Sequence, residues 1–366
     1  MNERNMTTHG GNLYAAQRQT GSHVSEILDF SANINPLGLS ENIRQALYAS
    51  LESIVHYPDA TGYDLKQAIS QHYQIKGEQI TLGNGAVELM YILCHMLKPK
   101  KVLVTAPTFS EYEEATLASG ARIEYLYLHA DTNFTIDIKA LIEQLANIDI
   151  VFICNPNNPT GTLLTRAQME KLLMAAQAQN SYVVVDESFI DFLPRDDVYT
   201  SRPLLAQYAN LIIVHSLTKF YAIPGLRLGF ALANPELTNR LHQGKDPWNV
   251  NTLAQKAGVA ALQDHAYQQL SKDFMGKVNL ELYDSLLSIP GLKPYLPSVN
   301  FILINIAGTR MSGEELGKAL AAHNILIRDC SNYPGLSSDY IRIAVKRPEQ
   351  NNILIAALKK VIGRVL

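Results

Sequence analysis

Five short apolar runs recur along the first two thirds of the chain: residues 102–104, 148–154, Tyr182–Asp186, 211–215 and 228–232. Each is nearly continuous rather than alternating, so a strand made from it must be covered on both faces. Helical periodicity fills the stretches around them. Ala86–Leu97 carries Val87, Leu89, Met90, Leu93 and Leu97 on one stripe, and Thr165-x-x-Gln168 is a capping box opening a helix through Met169, Leu172 and Leu173. Strands alternating with helices predict an α/β fold: a large domain with a mostly parallel sheet covered by helices. After about Asn251 the pattern changes to longer helices, an apolar run at 300–305, a second capping box at Ser312-x-x-Glu315, and short strands at 325–327 and Tyr340–Ala344. That predicts a smaller α+β C-terminal domain, with a boundary near residue 250.

A chain of 366 residues with 47% hydrophobic content can bury a core of that size. Its net charge of -3 is scattered without a long block of one sign, which argues against nucleic acid or an anionic membrane surface as partner. Cys94, Cys154 and Cys330 lie far apart with no C-x-x-C pair and no metal-ligand spacing, so they read as buried free thiols in a reducing compartment and no metal site is expected. The first eight residues lack the apolar stretch of a signal peptide, and no segment is long and apolar enough to span a bilayer, so a cytoplasmic protein is expected.

Two side chains carry the chemistry. Asp186 ends the run Tyr182–Asp186, and Lys219 stands in Ser216-Leu-Thr-Lys219 just past another. A lysine amine and a carboxylate at neighbouring strand ends suit pyridoxal 5'-phosphate: the amine anchors the cofactor and later moves a proton, and the carboxylate keeps the ring nitrogen protonated. Taken singly, a strand-ending Asp is more often a cap and a Lys after Ser/Thr a solvated amine. Gly83-Asn84-Gly85-Ala86 opens a helix, so backbone N–H groups at Gly85 and Ala86 can face a phosphate. A dinucleotide fingerprint is the competitor, but Glu88 stands where its third glycine belongs. A plain tight turn is the simpler alternative.

Taken with Asp186-Glu187 and Ser216-Leu-Thr-Lys219, the segments Asn158-Pro-Thr-Gly161 and Pro224-Gly-Leu-Arg227-Leu-Gly229 resemble the class I/II aminotransferase group of fold-type I pyridoxal phosphate enzymes. Within it, His9-Gly-Gly-Asn12, Asp29-Phe-Ser-Ala-Asn-Ile-Asn-Pro-Leu-Gly38, His56-Tyr-Pro-Asp59 and Asp186-Glu-Ser-Phe-Ile-Asp-Phe192 are similar to the threonine-phosphate decarboxylases of cobalamin biosynthesis. The resemblance implies an N-terminal arm (1–40) lying on the small domain (251–366), a large cofactor-binding domain (41–250), and a homodimer with shared active sites. It also implies that Ser216 and Arg227 bind the cofactor phosphate, that Phe109 stacks on the ring, that Asn158 hydrogen-bonds the ring hydroxyl, and that Tyr57 reaches the phosphate in the partner subunit.

The substrate implied is a phosphorylated amino acid, with Arg342 on its carboxylate, Arg328 helping to bind its phosphate, and His9 and Asn33 at the same end of the pocket. An arginine inside an apolar strand demands an anion, which an internal Asp or Glu could equally supply. The reaction implied is decarboxylation of L-threonine O-phosphate to (R)-1-aminopropan-2-ol O-phosphate. L-serine O-phosphate differs by one methyl group, worth only about 1–3 kcal/mol in a pocket, and stays open as a substrate. Histidinol-phosphate aminotransferases share most of these motifs. Phe189, in place of their tyrosine, the opening around His9 and Pro247-Trp-Asn-Val-Asn251 favour the decarboxylases. The bond that breaks is the one held perpendicular to the cofactor ring, so the arginine grip decides between losing carbon dioxide and losing a proton. A cofactor-binding regulatory module without catalysis is the reading from another class, and no basic patch supports it.

Overall fold

The computed structural model describes residues 10–365. In chain order its strands are β1 (Leu28–Asp29), β2 (Ile80–Gly83), β3 (Lys101–Ala106), β4 (Arg122–Tyr127), β5 (Ile150–Cys154), β6 (Tyr182–Asp186), β7 (Leu211–Ser216), β8 (Gly229–Leu232), β9 (Lys293–Pro294), β10 (Phe301–Asn305), β11 (Ile325–Leu326), β12 (Arg328–Asp329) and β13 (Tyr340–Ala344). Seven of them form one sheet in the order β2-β8-β7-β6-β5-β3-β4. Neighbours from β4 to β7 run parallel, whereas β8 lies antiparallel to both β7 and β2. The sheet is thus mostly parallel, and the continuous apolar runs are its covered strands: β5 and β7 are buried along their whole length. Each Val, Ile or Leu so enclosed contributes about 1.5–3 kcal/mol of hydrophobic stabilisation.

Two helices show why the crossovers sit where they do. Ala86–Leu97 buries Ala86, Leu89, Met90, Leu93 and Cys94, an i, i+3, i+4 stripe laid on the sheet. Arg166–Ala178 is opened by the reciprocal Thr165–Gln168 capping box and buries Met169, Leu172 and Leu173. The Ser312–Glu315 box likewise opens Gly313–Ala321. Val87 departs from the expected stripe: it is half-buried and lines a cavity.

A second, antiparallel sheet has the order β12-β13-β10-β9. The single strand expected at 325–327 is in fact two. β11 pairs parallel with β1 near the N-terminus, and β12 pairs antiparallel with β13, so the chain changes partners at Ile327. Further backbone bonds tie the N-terminal segment here, from Leu28 N–H to the Asn324 carbonyl (2.8 Å) and from Ala344 N–H to the Phe30 carbonyl (2.7 Å). β4 carries no apolar run, because it is a sheet edge whose Arg122, Glu124 and Tyr127 face outward or toward the rim. Cys94, Cys154 and Cys330 are free and buried.

Candidate active site

In a mostly parallel sheet the carboxyl ends of the strands share one edge, and the crevice outside that edge is where ligands bind. Here β6 ends at Asp186, β7 at Ser216 and β2 at Gly83, and the antiparallel β8 begins beside them, with Gly229 opposite both Gly83 and Ser216. A cavity of about 610 Å³ opens over this edge, lined among others by Phe109, Asn158, Asp186, Lys219, Arg227 and Arg342.

The Lys219 amine lies 3.3 Å from Ser216 Oγ, which also shares a 2.7 Å hydrogen bond with the Thr218 hydroxyl. Burial pushes this amine down to about 8; the Asp186 carboxylate partly offsets that, and the Arg227 guanidinium adds to it. A fraction of the amine is therefore unprotonated near neutral pH, which a nucleophilic lysine requires. Its backbone is held by Asn35, which stands in the segment 29–38 and to which the resemblance assigns no role. The Asn35 N–H donates to the Lys219 carbonyl (3.0 Å), and Asn35 Nδ2 donates to the Phe220 carbonyl and to Ser271 Oγ, each at 2.8 Å.

Asp186 is buried, with its carboxylate aimed by two donors: Ser188 N–H at 2.9 Å and the Tyr112 hydroxyl at 2.7 Å. Tyr112 was not legible as a site residue, since it stands in Glu-Tyr-Glu-Glu, a composition that reads as a solvated helix face. In the fold it is fully buried and its ring stacks on Phe152 at 5.1 Å.

The glycine turn is shaped by close approach. Gly85 has φ +86°, and a Cβ there would stand 2.6 Å from an Arg227 guanidinium nitrogen; a Cβ on Gly229 would stand 2.6 Å from the Ala86 nitrogen. The turn, the start of the helix at Ala86 and the Arg227 side chain are thus pressed together, leaving backbone N–H and guanidinium donors grouped beside the cavity, as an anion requires. The Asn84 N–H is tied back to the Glu88 carboxylate at 2.7 Å.

The β12–β13 register sets Arg328 directly opposite Arg342, and both are buried at the cavity wall. Arg342 donates through one Nη to Asn158 Oδ1 and through the other to the Ser31 carbonyl (2.7 Å), and its buried Nε has no hydrogen-bond partner among the described residues. Arg328 donates to the Asp329 carbonyl and to Asn332 Oδ1, both at 2.7 Å, and lies over the Tyr333 ring. The arginines in ion pairs among the described residues are Arg44, Arg195 and Arg202, so Arg342 has no internal carboxylate partner here. Because Asn158 turns its oxygen to Arg342, its amide N–H groups are left for the cavity. Asn33 lines the same end, with its side-chain oxygen buried and without a hydrogen-bond partner among the described residues.

Most of the residues expected from the sequence are therefore gathered at one cavity. Tyr57 is not: it is 79% exposed and stacks on Trp248 at 4.7 Å, away from this cavity of the single chain. His9 lies outside the described residues. Phe189 does line the cavity, packed edge-on against Phe301 at 5.1 Å.

With the geometry in hand, three known proteins are informative. The chain is 37% identical to the threonine-phosphate decarboxylase of Salmonella typhimurium over 97% of each chain. It resembles the solved structure of the L-threonine-O-3-phosphate decarboxylase of Porphyromonas gingivalis, with TM-score 0.82 and 28% identity over 92% of this chain and 100% of that one. It also resembles the histidinol-phosphate aminotransferase of Clostridium acetobutylicum, with TM-score 0.87 and 30% identity over the same shares. Residues 25–358 match the model of the family described as aminotransferase class I and II, and the chain belongs to that family.

Proposed function

We propose that this protein is a pyridoxal-phosphate-dependent decarboxylase that converts L-threonine O-phosphate to (R)-1-aminopropan-2-ol O-phosphate in cobalamin biosynthesis. The observation that carries this reading is the pair Arg328 and Arg342: two buried guanidinium groups side by side in the cavity that holds Lys219, the second in no salt bridge among the described residues. A substrate with an anion at each end can place one on Arg342 and the other beside Arg328. The resemblance to decarboxylases acting on a phosphorylated threonine supports the choice.

The site fits the cofactor residue by residue: the amine of Lys219, the carboxylate of Asp186, the cradle of Gly85, Ala86, Ser216 and Arg227, the Phe109 face and the Asn158 amide. Bound there, the cofactor supplies a sink for the electron pair of the bond broken at the substrate alpha carbon. Asp186, aimed by Tyr112 and Ser188, would be the partner of the ring nitrogen. Arg342 would hold the substrate carboxylate and so decide which bond at the alpha carbon is aligned for cleavage. After carbon dioxide leaves, Lys219 returns a proton to the alpha carbon, with a water as the alternative donor. The arm at 1–40, the division near residue 250 and a cytoplasmic location belong to this reading; the pairing of β1 with β11 and the buried thiols support them. A homodimer is supported by Tyr48, Ile54, Val55, Tyr57 and Tyr63, each at least 60% exposed on one stretch of chain.

Purified protein loaded with pyridoxal phosphate should release carbon dioxide from L-threonine O-phosphate with no keto acid present, one per aminopropanol phosphate formed. Absence of release together with glutamate formation from 2-oxoglutarate and histidinol phosphate would move it to the aminotransferases. That second reading is favoured by the higher TM-score of the Clostridium acetobutylicum structure. A comparison of kcat/KM for threonine and serine phosphates decides between those substrates.

The Lys219 environment yields a pH prediction. The attacking form of the amine is neutral, and burial places its midpoint at about 8 rather than near 10.5. The rate of covalent cofactor attachment to cofactor-free protein should therefore rise about tenfold per pH unit below that midpoint and flatten above it. Absorbance-monitored attachment from pH 6 to 10 checks this, and a rise continuing undiminished to pH 10 would contradict it.

A further inference from the structure

Apart from the catalytic cavity, a second space of about 280 Å³ is lined by residues 59–62, Lys66, His242, Lys245 and Asn249. Lys66 Nζ stands 3.4 Å from His242 Nε2, and Lys245 Nζ donates to Asn249 Oδ1 at 2.6 Å. Both lysines are half-buried. The lysines that pair with a carboxylate among the described residues are Lys101, Lys256, Lys272, Lys277 and Lys318, so neither of these does.

The acids nearest to them are committed elsewhere. Asp59 accepts from the Thr61 N–H, the Thr61 hydroxyl and the Tyr63 N–H. Glu88 accepts from the Asn84 N–H and from Asn249 Nδ2, and Asp246 accepts from the Trp248 N–H. Burial lowers both lysines and the charge of Lys245 lowers Lys66 further, partly offset by Asp59 at Lys66 and by Glu88 and Asp246 at Lys245. Burial, then Lys66 and Lys245, push His242 down to about 4, so its ring is neutral near pH 7. Each ammonium carries three N–H donors and makes one of these hydrogen bonds, so the cavity holds a surplus of donors, while the charges of Asp59, Glu88 and Asp246 act on the lysines without a salt bridge.

We propose that this cavity is a second anion site, which takes inorganic phosphate between Lys66 and Lys245. A phosphate there supplies the acceptors both ammonium groups lack and relieves their mutual repulsion. The site also adjoins the glycine turn: Lys245, Asn249, Glu88 and the Asn84 N–H form one chain of hydrogen bonds of 2.6–2.7 Å.

The chain's one tryptophan, Trp248, stands between the lining residues Pro247 and Asn249, so its fluorescence reports on this cavity. Cofactor-loaded protein is titrated with inorganic phosphate and, at matched ionic strength, with potassium chloride. Phosphate should give a saturable change that chloride does not. In Lys66→Met/Lys245→Met the half-saturation should rise at least about tenfold, and in Arg328→Gln it should stay as in the parent. Should the double variant fail to fold, Lys66→Met against the charge-keeping Lys66→Arg makes the same distinction, with weakening in the first alone. Identical curves for phosphate and chloride, a response that survives loss of both lysines, or one lost in Arg328→Gln would overturn the proposal, the last by placing the phosphate in the catalytic cavity.

Discussion

Lys219→Ala is expected to lower kcat/KM for decarboxylation by about 10⁴-fold or more, the combined loss of a covalent anchor and a proton donor. Borohydride should no longer fix pyridoxal phosphate to the chain, and the fixed mass should be absent from the peptide containing residue 219. Stability should hardly change. The amine is buried with one weak contact, 3.3 Å from Ser216 Oγ, and burial already disfavours its charge, so little native-state interaction is lost. Loss of activity with an unchanged melting temperature therefore identifies a chemical role. Residual activity within tenfold of the parent would remove Lys219 from the mechanism.

The second large effect is expected at Arg342. Arg342→Met should reduce kcat/KM by roughly 10²- to 10³-fold, since deleting one member of a buried, charge-assisted contact costs about 2–5 kcal/mol. The loss should fall on both KM and kcat, because the same grip binds the carboxylate and turns it for cleavage. Stability again separates the alternatives. Were Arg342 one half of an internal salt bridge, its removal would leave a buried carboxylate alone and destabilise by about 3–5 kcal/mol. In this fold it donates instead to Asn158 Oδ1 and the Ser31 carbonyl, and its Nε goes unmatched. Methionine therefore relieves a buried charge held in no salt bridge among the described residues while orphaning two neutral acceptors at about 1–3 kcal/mol each, and these effects oppose one another. A shift of only a few degrees in Tm is expected. Full activity in Arg342→Met would exclude it from substrate binding, and a large loss of Tm would show that its role is structural.

Much of this protein is written in local sequence. The apolar runs of β3, β5, β6, β7 and β8, the capping boxes at Thr165 and Ser312, and the positive φ of Gly85 each depend on a few neighbouring residues, because periodicity, caps and backbone conformation are properties of short segments. Asp186 and Lys219 were legible for the same reason, as each stands at the end of an apolar strand or just past one. Short segments thus carry the strand-and-helix alternation and the chemical groups at the strand ends. The tertiary structure decided which distant groups meet. It put the Tyr112 hydroxyl on Asp186, the Asn35 N–H on the Lys219 carbonyl, and Arg328 across from Arg342, and it divided the expected strand at 325–327 between two sheets. It also left Arg342 and the Lys66–Lys245 pair without a salt bridge among the described residues. Such facts depend on sheet register and on how helices pack across tens to hundreds of intervening residues, and no periodicity within a short segment carries that information.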